Sequence, residues 1–546
     1  MTHTSFGTPA SVASLVPRVV TDADLGAMER TPSSTARIRL VGVIVFAVTF
    51  GVAAAVLPNW PAGVFQDDGI YVVLGKALAG GEGYRYLNLP GAPYATHYPP
   101  GYPLFLALLW KLSPSFPGNV AVFVFANVAF LALAAVATFA FGRSRLRLTT
   151  LGAAVTALAA VAAVPTLIFG VFVMSEPMFM AGVLLVLLAA ERAADRGHWT
   201  DGLLVGFAGG ALAMIRSPGM FVVAALVIVL TLRRRFLAAA CAALGGAVFL
   251  VPWKLWVAAH GADVPAVFLG KYGPYDTWLG NAIRTHGAPF VMDVVVRNAK
   301  ALYDVLWTMF AGGPEAPAPL RFPAVLVALL FLTLGASRLV RRAPVTGWFL
   351  AAYLALVMIW PFEPTRFVWV LLPLFGLMLA LGFQVVAEFQ PRTGAARVLK
   401  VAAFAPIALL LIGYAVYNAN GARQRWWDTV PRTVATRATP VVEWVRGNTR
   451  PTDLIATDDD VLVYLYTGRT AIPIGTFTPE EYVTGQTFEF ATIQLDSILA
   501  QYNPTYVIGT TSYGVMAARS LLYRNPPELR VRELLKTAAI FTIVPR

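Results

Sequence analysis

Between Ile38 and Tyr417 the sequence returns repeatedly to apolar runs of about 20 residues, the length that crosses roughly 30 Å of hydrocarbon at 1.5 Å per residue. Lipid offers no hydrogen bonds to a backbone, so runs of this length predict helices that satisfy their own peptide groups. The predicted spans are 38–57, 118–141, 149–165, 172–190, 201–216, 218–232, 236–258, 320–338, 345–361, 366–386 and 398–417. Hydrophobic residues make up 58% of the chain and charged residues 13%, against roughly half and a quarter in soluble domains, which excludes a single water-soluble globule.

The apolar runs then stop. Residues 420–546 mix charged and apolar positions over a length suited to one small domain. Within them Thr433 to Arg446 has helical spacing, Asp453 to Thr457 and Tyr506 to Gly509 read as strands, and Gly468 marks a helix stop after Val461 to Tyr466. The expected fold class is therefore an α-helical polytopic membrane protein, with about eleven transmembrane helices and a small α/β soluble C-terminal domain. The expected divisions are a disordered N-terminal tail over 1–36, a membrane region over 37–419 with long outer loops at 58–117 and 259–319, and the soluble domain over 420–546. Tyr98 to Leu112 is apolar but short and opens on prolines, which predicts a juxtamembrane or re-entrant helix rather than a span.

A formal charge of +13 does not point to nucleic acid here, because the arginines lie in short clusters between apolar runs. With a cytoplasmic N-terminus, the clusters at Arg143/Arg145/Arg147, Arg192/Arg196, Arg233/Arg234/Arg235, Arg338/Arg341/Arg342 and Arg392/Arg397/Lys400 all fall on the cytoplasmic side. Both long loops and the soluble domain then lie outside. No cleavage-like site follows the first apolar run, so the N-terminus reads as a tail and not a signal peptide. The single cysteine, Cys241, can form no internal disulfide.

The polar residues of interest gather on the outer side. Asp67 and Asp68 precede a helical-looking stretch, Val72 to Ala79, and a carboxylate partly withdrawn from water there suits a general base while a solvated one suits a helix N-cap. Glu176, ahead of Pro177, sits at the outer start of a span, either facing a polar cavity or resting at the interface. Arg216 and Arg366 mark two outer helix ends against the cytoplasmic bias, and guanidinium groups suit phosphate through paired hydrogen bonds as well as snorkelling to headgroups. His97, His260 and His286, with neighbouring acids, are the candidates for a divalent metal, although their spacings match no metal motif. Asp458, Asp459 and Asp460 read as a solvated helix start rather than a cation site, and Tyr272, Tyr275 and Trp278 suit either stacking on a sugar or an interfacial aromatic belt, the belt being the expected role.

The run Asp67-Asp68-Gly69-Ile70-Tyr71, paired with His97-Tyr98-Pro99-Pro100-Gly101-Tyr102-Pro103-Leu104, resembles the first outer loop of GT-C glycosyltransferases, nearest to the protein O-mannosyltransferase and lipid A aminoarabinose transferase group. Ser175-Glu176-Pro177 and the Arg366 turn resemble elements at similar places in that group. The resemblance implies an inverting transferase that moves a sugar from a polyprenyl phosphate carrier to a glycan, lipid or protein acceptor on the outer face of the plasma membrane. It implies Asp67 as general base with Asp68 beside it, and His97, Tyr98, Glu176, Arg216 and Arg366 as substrate-binding residues. Where aminoarabinose transferases carry an acid and a lysine, this chain has His97-Tyr98, a departure that leaves donor sugar and acceptor open. The competing readings are a transporter or flippase of an anionic lipid-linked substrate, and a scaffold whose tail binds partners. A transporter would more often show repeated halves and broken helices with polar groups near the midplane, whereas the notable charges here lie at helix ends, and a scaffold gives no reason for an acid pair and arginines on one face.

Overall fold

A computed structural model describes residues 32–57, 59–275, 278–391, 393–476, 479, 481–485, 487–524 and 528–544. Most of the expected tail lies outside these residues, but helix already begins at Pro32 and runs to Ala55. Among the described residues six helices are long and apolar enough to cross a membrane, or seven if the bent pair Thr150–Val161 and Val164–Gly170 counts as one. The other four expected spans are apolar helices of 13 to 17 residues: Trp199–Ile215, Met220–Leu232, Pro344–Ile359 and Leu372–Glu388. At 1.5 Å per residue such helices reach only about 20–26 Å. They stop early because the turns at Arg216–Gly219 and Trp360–Pro364 cut them at the end where Asp67, Glu176, Arg216 and Arg366 sit.

The opposite end is closed by charge. Glu191 is fully buried and accepts from the Thr346 amide at 2.7 Å and its hydroxyl at 2.8 Å, while Arg145 reaches its second oxygen at 3.3 Å. Arg233 and Arg145 both pair with Asp195. Arg342 donates to the Leu146 carbonyl. Three of the arginine clusters thus meet at one end, as the charge rule requires of loops on a common side. Glu176 and Glu191 start and nearly finish the same helix, Glu176–Arg196, so this network and the acid–arginine end are about 22 Å apart.

Tyr98 to Leu112 forms the short helix Gly101–Leu112, as expected for a segment that does not span. The second long loop holds a further helix, Ala288–Phe310, whose polar stripe breaks any apolar run. Its buried Asn298 donates to the Val357, Met358 and Trp360 carbonyls at 2.8–3.1 Å, capping the end of Pro344–Ile359.

The last long apolar helix, Gly394–Gln424, is followed by Arg425 in a left-handed conformation and then by helix Trp426–Asn448. Beyond it lies a five-stranded sheet: β1 Ile455–Thr457, β2 Ala471–Ile472, β3 Tyr506–Gly509, β4 Leu529–Leu534 and β5 Ala539–Ile543. The order is β2-β1-β3-β5-β4, with β1 parallel to both neighbours and β5 antiparallel to β3 and β4. The expected strands are β1 and β3, and Gly468 (φ 72°) ends helix Asp460–Thr467 as anticipated.

This domain does not hang free. Its core is continuous with the outer loops, joining Ile455, Val461 and Ile508 to Tyr71, Tyr86, Tyr102 and Tyr272. Gly69 is where the fit is tightest: a Cβ there would lie 2.7 Å from Val461 Cγ1. Two expectations are corrected by the same packing. Asp460 is not solvated but 1% exposed, accepting from Lys271 Nζ at 2.5 Å and from the Tyr272 hydroxyl, with Asn88 Nδ2 at 3.5 Å. Asp458 accepts from the Thr510 and Thr511 amides, and burial raises its pKa. Nor do the second-loop aromatics form an interfacial belt, since Tyr272 and Trp278 are buried under protein.

Candidate functional site

Asp67 begins helix Asp67–Gly80, where the free amides and the dipole favour an anion, and Gln66 before it holds φ 66°. Its Oδ1 accepts from the Tyr98 hydroxyl at 2.7 Å and its Oδ2 from Arg366 Nη1 at 2.6 Å. Asp68 turns to another task. It is 1% exposed, and its two oxygens accept from the Gly63 and Phe65 amides at 2.7 and 2.9 Å, tying down the loop that presents Asp67. Burial pushes its pKa up to about 6, against the lowering effect of those hydrogen bonds.

Glu176 starts its helix just after an unwound stretch, 171–175, that follows the break at Gly170. Asn127, buried in the middle of the apolar helix Val120–Ser144, holds that stretch by donating to the Phe172 and Met174 carbonyls at 2.5 and 2.8 Å. Irregular backbone at this depth is tolerated only where protein satisfies it. Glu176 Oε1 then accepts from Arg366 Nε at 2.6 Å and pairs with Arg216 Nη1 at 2.9 Å, and Arg216 Nη1 also donates to Ser175 Oγ at 3.1 Å. Arg216 is brought in by a close approach: a Cβ on Gly101 would lie 2.6 Å from the Met214 carbonyl oxygen, so the Pro-Pro-Gly-Tyr-Pro segment needs glycine there.

Asp67, Glu176, Arg216 and Arg366 therefore form one cluster of two acids and two guanidinium groups, drawn from four separate segments. Two of its polar atoms are left unused. Glu176 Oε2 and Arg216 Nε are buried with no hydrogen-bond partner among the described residues, and Arg366 Nη2 meets Met174 Sδ at 4.0 Å. Unsatisfied buried polar atoms are rare unless a ligand completes them. Phe169 lies under the Arg366 guanidinium at 5.3 Å and Phe367 near that of Arg216 at 5.8 Å, giving the cluster apolar walls.

His97 stands one ring further out. Its Nδ1–H donates to the Gly273 carbonyl at 2.7 Å, its ring packs on Tyr98 and Tyr275 at 4.2 Å each, and burial lowers its pKa to about 4, so it is neutral at physiological pH. His260 pairs with Asp263 and His286 packs on Phe290. Among the described residues no three metal-ligating side chains come together.

Sequence reasoning quoted Tyr71 and Ser175 within motifs without giving them a role in the site, and missed Asn127 altogether. Tyr71 and Ser175 share a hydrogen bond at 3.2 Å, and Asn127 positions the Glu176 turn. A lone amide in an apolar span was the available signal for Asn127.

Bent apolar helices with broken ends, an acid opening the first loop helix and an α/β domain after the last long apolar helix define a polytopic membrane-protein fold that solved structures share. The likeness is measurable in two solved structures, crystal structures of ArnT from Cupriavidus metallidurans. The one bound to undecaprenyl phosphate matches with TM-score 0.52 at 15% identity, covering 92% of this chain and 99% of that one. The apo form matches with TM-score 0.51 at 14% identity over the same shares. No family model and no curated protein sequence matches the chain.

Proposed function

We propose that this protein is an inverting glycosyltransferase of the plasma membrane, which it crosses eleven times with the N-terminus inside and the soluble domain outside. It takes a sugar from a polyprenyl phosphate carrier and transfers it to an acceptor on the outer face. The observation that carries this reading is the convergence of Asp67 with Arg216 and Arg366 around two unused polar atoms, Glu176 Oε2 and Arg216 Nε. The undecaprenyl phosphate held by the fold neighbour ArnT supports the choice of lipid carrier.

In the reaction the acceptor hydroxyl or amine attacks the anomeric carbon while Asp67 takes its proton. The bond from that carbon to the phosphate oxygen breaks, and its electron pair leaves on the polyprenyl phosphate. Arg366 and Arg216 face that developing charge with donors already in place, in apolar surroundings where electrostatic stabilisation is strongest. Glu176 holds both guanidinium groups, and its unused Oε2 is placed to accept from a sugar hydroxyl. Asp68 fixes the loop, and Tyr98 orients the Asp67 carboxylate. Among the described residues no three metal-ligating side chains come together, so no step is routed through a metal.

Proteoliposomes loaded with a lipid-linked sugar and supplied with a panel of membrane-extract acceptors separate this from lipid movement. Loss of sugar from the lipid with appearance of free polyprenyl phosphate is the expected result. Movement of the intact lipid between leaflets without cleavage would replace the transferase by a flippase.

A further inference from the structure

The aromatic residues beyond His97 are not absorbed by this chemistry. From Asp67 the contacts run outward through Tyr98 and His97 to Tyr275, whose ring lies 4.2 Å from His97 and 4.8 Å from Phe362. Phe362 in turn meets Tyr482 edge-on at 4.5 Å. Tyr482 belongs to the soluble domain and is 48% exposed, although its backbone is fixed: Arg297 Nη1 donates to its carbonyl at 2.8 Å, and Val483 packs on the cluster of Trp278 and Phe290.

We propose that Tyr275, Phe362 and Tyr482 form a stacking platform for a neutral saccharide, and that the acceptor is therefore a glycan recognised partly by the soluble domain. This rests on the reading of Asp67 as the base. In a displacement with inversion the attacking and leaving oxygens lie on opposite sides of the anomeric carbon. The guanidinium groups take the phosphate side, through Asp67 Oδ2 and Glu176. The aromatic run begins at Asp67 Oδ1 and takes the acceptor side.

The chemistry of the platform favours a sugar. The polarised C–H face of a pyranose or furanose meets the negative face of an aromatic ring, and rigid tyrosines supply that area at small entropic cost. A phosphorylated acceptor would instead call for guanidinium or ammonium groups. Among the described residues the cation that touches the platform, Arg297, is engaged on the Tyr482 and Pro361 carbonyls.

The test uses the full-length protein in nanodiscs and saturation-transfer NMR with neutral trisaccharides of glucose, mannose, galactose and arabinose. Sugar phosphates and a serine- and threonine-rich peptide are run in parallel. At least one neutral trisaccharide should bind the wild type, at least tenfold more weakly after Tyr482→Ala and within twofold of wild type after Tyr482→Phe. Polyprenyl phosphate binding should be unchanged in both variants, which tests the transferase reading separately and confirms folding. Equal saccharide binding by Tyr482→Ala would overturn the platform, as would a wild type that binds only the peptide or the sugar phosphates.

Discussion

Arg366 Nη1 lies 2.6 Å from Asp67 Oδ2, joining side chains 299 positions apart in the sequence, one from the first outer loop and one from the turn after Pro364. The same guanidinium gives its Nε to Glu176 at 2.6 Å. One planar cation thus bridges the proposed base and the carboxylate that also holds Arg216. On the proposed mechanism a phosphate entering the cluster would compete for that cation and so couple donor binding to release of Asp67 as the base.

Arg366→Ala should weaken polyprenyl phosphate binding at least tenfold, and Arg366→Lys should recover only part of the loss. Lysine restores the charge but not the two-edged fork that reaches Asp67 and Glu176 together. Native mass spectrometry of the protein with added lipid reads the affinity. Equal binding by wild type and Arg366→Ala would remove the arginine from the phosphate site.

Glu176→Gln should lower stability by about 3–5 kcal/mol, the usual cost of stripping one partner from a buried ion pair. The Glu176 side chain is 5% exposed and that of Arg216 10%, so water cannot compensate. A thermal scan in detergent measures the loss. A midpoint within a degree of wild type would mean that the pair contributes nothing.

Two groups in the first loop should give stability slopes of opposite sign with pH. His97 has its pKa lowered by burial to about 4, so the unfolded state binds more protons between there and about 6.5, and stability rises with pH across that window. Asp68 has its pKa raised by burial to about 6, so the folded state binds more protons between about 3.9 and there, and stability falls as pH rises. Relative to wild type, His97→Gln should flatten the first slope and Asp68→Asn the second. Paired thermal scans at pH 4, 5, 6 and 7 would show this, and parallel curves for wild type and Asp68→Asn would contradict it.

Much of the fold was legible in the sequence, because lipid leaves a chain few choices. The apolar runs gave helices where they were expected, and the arginine clusters gave a common end, visible as Arg145, Arg233 and Arg342 converge near Glu191 and Asp195. Helix length was read less well, since turns such as Arg216-Ser217-Pro218-Gly219 cut apolar stretches that composition alone treats as continuous. Site residues were legible as types at helix ends, but their distances were not. Asp67 and Asp68 look alike in sequence, and only the fold of residues 63–65 gives one to Arg366 and the other to backbone amides. The acids at 458–460 look solvated for the same reason: nothing local announces that Lys271 and Tyr272 will arrive to bury Asp460.

Asp460→Ala should loosen the soluble domain from both outer loops, at a cost of about 3–5 kcal/mol for leaving Lys271 buried without its acid. Limited proteolysis would detect faster cleavage between the last membrane helix and β1, while Asp460→Asn should lie between the two. Unchanged cleavage in Asp460→Ala would show that the shared apolar core alone holds the domain.

The most direct test of the central claim is single turnover by Asp67→Asn with a polyprenyl-phosphate-linked sugar and its acceptor, followed by mass spectrometry of released polyprenyl phosphate. A base that removes a proton in the transition state contributes roughly 10²–10⁴-fold. The rate should therefore fall by at least about a hundredfold, with lipid affinity within a few-fold of wild type. Turnover at the wild-type rate would contradict the assignment of Asp67 and the mechanism built on it.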